Sequence, residues 1–228
     1  MGKLLASIIT LISFQSLAQT EAGNTPPNLR LSGDVSLLSH YIEHGLSQSN
    51  YSPSLQGSFW FNFGPQFRLG VWGSNTDYKN TDDNFNLRLG ADINVNLSPA
   101  SYLTLGYFKN NYYNDGDRSG ELFQFKFFVK DVRILYEKTT NWEGSRKLGN
   151  RFGLGLTSNV LSTWKWNNEV GYTTIDSQTL NNFFDFKSGL GTRWGALFFE
   201  GALTGTSESS QFDGRGDTFF ILSASTDL

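Results

Sequence analysis

Residues 84 to 97 read NFNLRLGADINVNL and alternate without a fault. Phe85, Leu87, Leu89, Ala91, Ile93, Val95 and Leu97 fall on one face, while Asn84, Asn86, Arg88, Gly90, Asp92, Asn94 and Asn96 fall on the other. Successive side chains of a strand point to opposite faces, so the stretch is a strand with one apolar and one polar side. A soluble sheet would bury the apolar side in a core. A membrane barrel would give it to lipid and turn the polar side inward.

Outward from this stretch, period-two alternation recurs near 28 to 41, 54 to 63, 66 to 74, 101 to 109, 121 to 129, 132 to 139, 150 to 158, 163 to 174, 183 to 191, 196 to 205 and 217 to 228. Clusters of Gly, Pro, Asn, Asp and Ser separate these segments, and no stretch of helical period competes. The connections alternate strictly between short and long. Gly64-Pro65, Ser98-Pro99-Ala100 and Lys130-Asp131 are short, whereas NNYYNDGDRSG (110 to 120) and TSESSQFDGRG (206 to 216) are long and polar. In an outer-membrane barrel with an even strand number both termini face the periplasm, so odd-to-even connections lie outside and run long. Every long connection here is odd-to-even. The predicted fold class is therefore all-β, a closed antiparallel transmembrane β-barrel of about 12 strands and outer-membrane type, over residues 28 to 228.

The chain opens MGKLLASIITLISFQSLAQT: one Lys, an apolar run from Leu4 to Phe14, then Ser16-Leu17-Ala18 with small residues where a signal peptidase reads. Residues 1 to 18 are thus expected to be a cleaved signal peptide, and 19 to 27 a short periplasmic segment. Without Lys3, the 18 basic residues fall further below the 21 acidic ones, which excludes the basic patch of a nucleic-acid binder. There is no cysteine, so neither a disulfide framework nor a thiolate site is available. Aromatics make up 15% of the chain, including 20 Phe, yet the mean hydropathy is negative. Apolar residues spread by alternation rather than in runs are what transmembrane strands require.

Strand charges fall on the polar parity, and a Lys or Arg facing lipid at the midplane would cost about 2 to 4 kcal/mol. The residues expected to line the lumen are Arg30, Asp34, Arg68, Trp72, Arg88, Asp92, Lys126, Arg133, Glu137, Arg151, Lys165, Glu169, Asp185, Lys187 and Glu200. Opposite charges recur four, or two, positions apart along single strands, as in Arg88 and Asp92, Arg133 and Glu137, Lys165 and Glu169, and Asp185 and Lys187. These ladders fit either a salt-bridge network that plugs the lumen or a field across a pore. Glycines share the polar parity and leave room for large neighbours such as Trp60 and Trp72.

Three motifs, Tyr41-x-x-x-Gly45-x-Ser47-Gln48, Pro53-x-x-Gln56-Gly57 and Gly70-Val71-Trp72-Gly73-Ser74-Asn75, carry a family resemblance. Over residues 33 to 75 the chain resembles the TorF-type porins, also called the Gcw_chp family, small outer-membrane proteins of proteobacteria. The resemblance implies a barrel in the bacterial outer membrane and a porin-like role. Where the family usually has Arg before the glycine, this chain has His44, a group whose charge depends on pH.

Tyr41, His44, Gly45, Ser47, Gln48, Trp72, Ser74 and Asn75 are expected at the outer mouth, where they either bind a solute or pin the first loop by satisfying backbone groups. His40 and His44 are the only histidines. A serine hydrolase needs Ser, base and orienting group in contact, but Ser36 and His40 on one strand would stand about 13 Å apart and Ser39 has the opposite parity. Asp77, Asp82-Asp83 and Asp115-Gly116-Asp117 lack the position pattern of a calcium loop. The expected function is a narrow channel for passive diffusion of small polar solutes or ions, with no catalytic step, metal or cofactor. The alternatives are a structural or surface-interaction barrel with a plugged lumen and, third, an outer-membrane lipase or esterase. The expected partners are outer-membrane lipids and lipopolysaccharide, the barrel assembly machinery during insertion, and small polar solutes.

Overall fold

The computed structural model describes residues 29 to 78 and 81 to 228; the expected signal peptide and the segment 19 to 27 lie outside them. The chain forms β1 (Leu29–Leu38), β2 (Ile42–Glu43), β3 (Leu46–Ser47), β4 (Ser54–Phe63), β5 (Phe67–Asn75), β6 (Phe85–Ser98) and β7 (Ser101–Tyr113). It continues through β8 (Gly120–Val129), β9 (Val132–Thr139), β10 (Gly149–Asn159), β11 (Trp164–Ile175), β12 (Phe183–Trp194), β13 (Leu197–Thr206), a 3-10 turn at Ser209–Phe212 and β14 (Phe219–Asp227). Strands β1 and β4 to β14 each pair antiparallel with their chain neighbours, and β1 closes on β14 from Asp34↔Asp227 to Leu38↔Ser223. The result is a closed barrel of twelve strands. A closed sheet leaves no edge with unpaired N–H and C=O groups.

The stretch 84 to 97 is β6 to within one residue, and its parity holds. Phe85, Leu89, Ile93, Val95 and Leu97 are exposed on the outer wall, whereas Asn86 and Asp92 are buried inside. Outward rings pair across strands toward the long-loop end, Tyr107 with Phe123 at 5.0 Å, Tyr136 with Phe152 at 5.0 Å and Tyr172 with Phe184 at 4.6 Å. Trp164, Trp166 and Trp194 stand exposed toward the tight-turn end. Two aromatic bands flanking an apolar belt are the outer surface of a membrane barrel.

Inside, the glycines let rings lie flat against the wall. A Cβ on Gly70 would come 2.4 Å from the Trp60 ring, and one on Gly90 would come 2.2 Å from Phe108. Trp60 and Phe108 meet edge to face at 6.4 Å, and the Arg68 guanidinium stacks over Trp60 at 4.3 Å.

One expected boundary is corrected. The first strand ends at Leu38 rather than at residue 41, because Ser39 makes its last wall contact, to the Leu222 carbonyl at 2.8 Å, and the chain then turns inward. His40 and Tyr41, expected to continue the strand, are buried in that inward loop.

Candidate functional site

Residues 39 to 53 fold into the long-loop end of the lumen as a small hairpin. Ile42 pairs with Ser47 and Glu43 with Leu46, and His44-Gly45 makes the turn with φ of 52° and 73°. Positive φ at both central residues is the primed turn that matches strand twist, and glycine supplies the second position without strain. Gly45 also lies so close to the wall that a Cβ there would come 2.5 Å from the Gly205 carbonyl. Leu46 is fully buried in an apolar cluster with Trp142, Ile175, Phe183 and Phe212, which anchors the hairpin. Ser47, Gln48 and Ser49 have no exposed surface.

The tip of this hairpin completes an ion network across the lumen. His44 Nε2 lies 2.8 Å from Glu137 Oε2 on β9, and its ring stacks on Trp142 at 5.9 Å. Glu43 pairs with Arg88 Nη2 on β6 at 2.8 Å and accepts from the Tyr41 hydroxyl at 2.8 Å. Arg151 on β10 reaches Asp185 at 2.6 Å, Glu169 at 2.7 Å and Glu137 at 3.5 Å, and Glu169 also pairs with Arg133. Arg151 is 2% exposed. The position of a guanidinium sealed from water to that extent is filled by its partners.

Burial alone would push His44 down, but Glu137, and after it Glu43, outweigh burial and Arg151, so its pKa lies above the ordinary value. The Glu43 carboxyl, pushed up by burial, ends below its ordinary value because Arg88 and His44 face it. Tyr41 moves the other way: burial first, then Glu43, holds its hydroxyl protonated.

Above the hairpin, three loops meet. Glu143 receives Arg118 and, at 2.9 Å, Arg215. Burial pushes the Glu143 carboxyl up, yet these two cations draw it down to about 2. Gln48 ties the hairpin to this clasp, accepting from the Tyr78 hydroxyl at 2.5 Å and from Arg118 Nη2 at 3.3 Å, while Arg118 stacks over Tyr78 at 3.7 Å.

Space in the barrel is divided accordingly. A polar cavity of about 590 Å³ occupies the tight-turn half, lined by groups that include Arg133, Asn167, Glu169, Lys187, Glu200 and Ser223. A second of about 200 Å³ lies among the loops near Tyr78, Arg118 and Arg215. Between them the hairpin borders a pocket of about 50 Å³ beside Glu43, His44 and Trp142 and another of about 70 Å³ beside Ile42, Lys187 and Glu200.

The structure distributes the expected residues as follows. Arg68, Arg88, Asp92, Arg133, Glu137, Arg151, Glu169, Asp185, Lys187 and Glu200 all enter interior ion pairs. Asp34 accepts from Ser58 Oγ, and Trp72 packs inside against Tyr41 at 5.8 Å and beneath Arg88 at 4.9 Å. Arg30 and Lys165 are exposed at the tight-turn end, and with Lys126 they make no ion pair among the described residues. The ladders expected along single strands are corrected, because residues four apart on a strand stand about 13 Å apart, whereas register partners are neighbours. Arg68 pairs with Asp92, Arg133 with Glu169 and Lys187 with Glu200, all between strands. Lys165 does not meet Glu169, whose oxygens belong to Arg133 and Arg151.

Tyr41, His44, Gly45, Ser47 and Gln48 sit within the lumen rather than at its rim. Ser74 stays at the wall, where its hydroxyl meets Ser54 Oγ at 2.8 Å, and Asn75 holds the Leu55 N–H at 2.7 Å and the Pro53 carbonyl at 3.1 Å. Serine and histidine do meet, in a pair the sequence did not suggest: His40 Nε2 lies 2.6 Å from Ser47 Oγ. Burial lowers the His40 pKa, but Ser47 is sealed from any substrate and no carboxylate orients His40 among the described residues, so the pair lacks the third member and the access that a hydrolytic site needs.

Glu43, Arg118, Trp142, Glu143 and Arg215 escaped sequence reasoning. Loop charges ordinarily stay solvated, and no periodicity places them. The signal for Glu43 was present: the apolar-polar pairs Ile42-Glu43 and Leu46-Ser47 flank His44-Gly45, a two-residue turn signal.

The model of a family described as bacterial protein of unknown function, Gcw_chp, matches residues 21 to 220. No curated protein sequence matches the chain. Among solved structures, the KdgM porin aligns with a TM-score of 0.54 at 7% identity over 86% of this chain and 97% of its own. The NanC porin aligns at 0.55 and 9% over 86% and 97%. LpxR from Salmonella typhimurium aligns at 0.50 and 10% over 86% and 99%. At such identities these likenesses establish the fold, which is that of outer-membrane barrel proteins.

Proposed function

The chain belongs to the Gcw_chp family, and we propose that it is a gated, narrow outer-membrane channel for small polar solutes, closed in this conformation by its first loop. One observation carries the reading. The lumen holds a polar cavity of about 590 Å³ at the tight-turn end, and beyond it a two-ended loop enters the barrel, with Ile42 beside Lys187 and Glu200 and His44 against Glu137. A stopper attached only through residues 39 to 53 is a two-state element, since its contacts can break without breaking the sheet. The likeness of the Tyr41, Pro53 and Gly70 motifs to TorF-type porins supports the same role. The membrane is the bacterial outer membrane, reached by way of a signal peptide and the barrel assembly machinery, with lipopolysaccharide around the loops and no catalytic step.

The near-complete burial of Arg151, Glu137 and Asp185 favours a second reading, a permanently plugged structural barrel. Liposome swelling separates the two. A gated channel admits a small sugar such as arabinose at a measurable rate, while a permanent plug gives the rate of empty liposomes.

A further inference from the structure

The ion pairs that face the wide cavity share one asymmetry. Arg133 is 37% exposed and its partner Glu169 22%; Lys187 is 45% exposed and Glu200 9%; Arg68, toward the same end, is 37% exposed and Asp92 2%. In each pair the acid is held against the wall and the cation meets the water.

Hydrogen-bond capacity points the same way. Glu200 already accepts from Lys187 Nζ at 2.6 Å and from Asn167 Nδ2 at 2.9 Å, and Glu169 from Arg133 and from Arg151 Nη2 at 2.7 Å. An ammonium has three donors and a guanidinium five, so Lys187 and Arg133 keep donors that nothing else in the barrel takes up among the described residues.

The register sets these two cations on one stretch of wall, three strands apart with Glu169 between them, and both line the cavity. Arg133, Gly155, Glu169 and Lys187 are successive partners across β9, β10, β11 and β12. Gly155 lets the guanidinium lie along the wall, since a Cβ there would come 3.3 Å from Arg133 Nε. Ser36, Thr157, Asn167 and Ser223 add hydroxyl and amide groups around the same space. Its volume is that of an ordinary small-molecule site.

We propose that this cavity is a binding site for small hydroxylated organic carboxylates, held by Arg133 and Lys187, and that it makes the channel anion-selective. The binding site stands on the cavity alone; the selectivity rests on the channel reading. Planar fork geometry suits Arg133 to bidentate contact with a carboxylate, while Lys187 supplies a point charge beside it.

Reversal potentials in planar bilayers under a KCl gradient test the selectivity. The expected wild-type ratio of chloride to potassium permeability exceeds one. It falls at least about threefold in the Arg133→Gln/Lys187→Gln double variant, the screened effect of two charges within about a Debye length of the path, and rises in Glu200→Gln. A conducting but cation-selective or unselective wild type overturns the anion assignment while leaving the channel standing. Calorimetric titration of gluconate into the detergent-solubilised barrel, with sorbitol as the neutral control, needs no conduction at all. Binding of gluconate but not sorbitol, lost in the double variant, is expected; no gluconate binding to wild type overturns the site even where the channel conducts.

Discussion

Removing the charge of His44 should loosen the closed state, by an amount relative to wild type that depends on pH. The imidazolium faces Glu137 and Arg151 on the wall and Glu43 beside it, with Glu169 farther off and Trp142 stacked on the ring. Its pKa is raised above 6.5, so the stabilisation from its charge is fully present below about pH 6.5 and disappears as pH climbs through the raised value. Removing one partner of a buried pair costs about 3 to 5 kcal/mol when the other charge is stranded. Glu137 is not stranded, since it keeps Arg151 at 3.5 Å and the Gln124 amide. The loss is therefore smaller, about 1 to 3 kcal/mol, which shifts the closed-to-open ratio about 5- to 150-fold. In single-channel recordings the open probability should rise between about pH 6 and about pH 9 in the wild type. His44→Gln should be open-prone at both values, and His44→Arg, which keeps its charge, closed-prone at both. An open probability that is flat with pH, or that rises toward acid, refutes the latch.

The clasp above the hairpin should behave in the opposite sense. With its pKa at about 2, Glu143 contributes stability that is fully present above pH 4.5 and is lost as pH falls from there through about 2, so the fluorescence of the adjoining buried Trp142 should hold steady down to about pH 4.5 and shift as pH approaches 2, while trypsin cleaves the exposed Arg146 and Lys147 slowly at neutral pH. Glu143→Gln strands Arg118 and Arg215 and should speed that cleavage at neutral pH by an amount corresponding to about 3 kcal/mol or more. Gly90→Ala drives a methyl into Phe108 and should lower unfolding stability by about 1 to 3 kcal/mol, read from denaturant midpoints. Gly57→Ala, whose Cβ would meet nothing closer than 3.5 Å, should be nearly neutral in the same assay. Leu89→Lys on the lipid-facing side of β6 should cost about 2 to 4 kcal/mol in folding into vesicles, against much less for Asn94→Lys on the inner face.

The wall was legible because lipid and water impose period two on every strand. Phe85 to Leu97 and Arg88 to Asp92 declare their sides, and long loops on one end declare the direction of the chain. The ion partners were not legible, because neighbours in a barrel are set by register: Arg133 meets Glu169, 36 positions away, rather than Glu137 four positions along. The plug was legible least. Tyr41 to Gln48 is polar enough to pass for a surface loop, and what draws it inward is compensation by Arg88, Glu137 and Arg118, each on a different element. Leu46 was the overlooked clue, an apolar residue in the middle of a polar loop that reaches the cluster of Trp142 and Phe183.

On the proposed reading, the first loop, seated on the ion network of the wall, closes this barrel. Single-channel recording of the full barrel beside a variant in which Ile42–Ser47 is replaced by a short Gly-Ser linker tests it most directly. Brief, infrequent openings are expected in the wild type and a long-lived open level in the variant, with heat-modifiable gel mobility showing both barrels folded. Equal conductance in the two, or none in a folded variant, would contradict it.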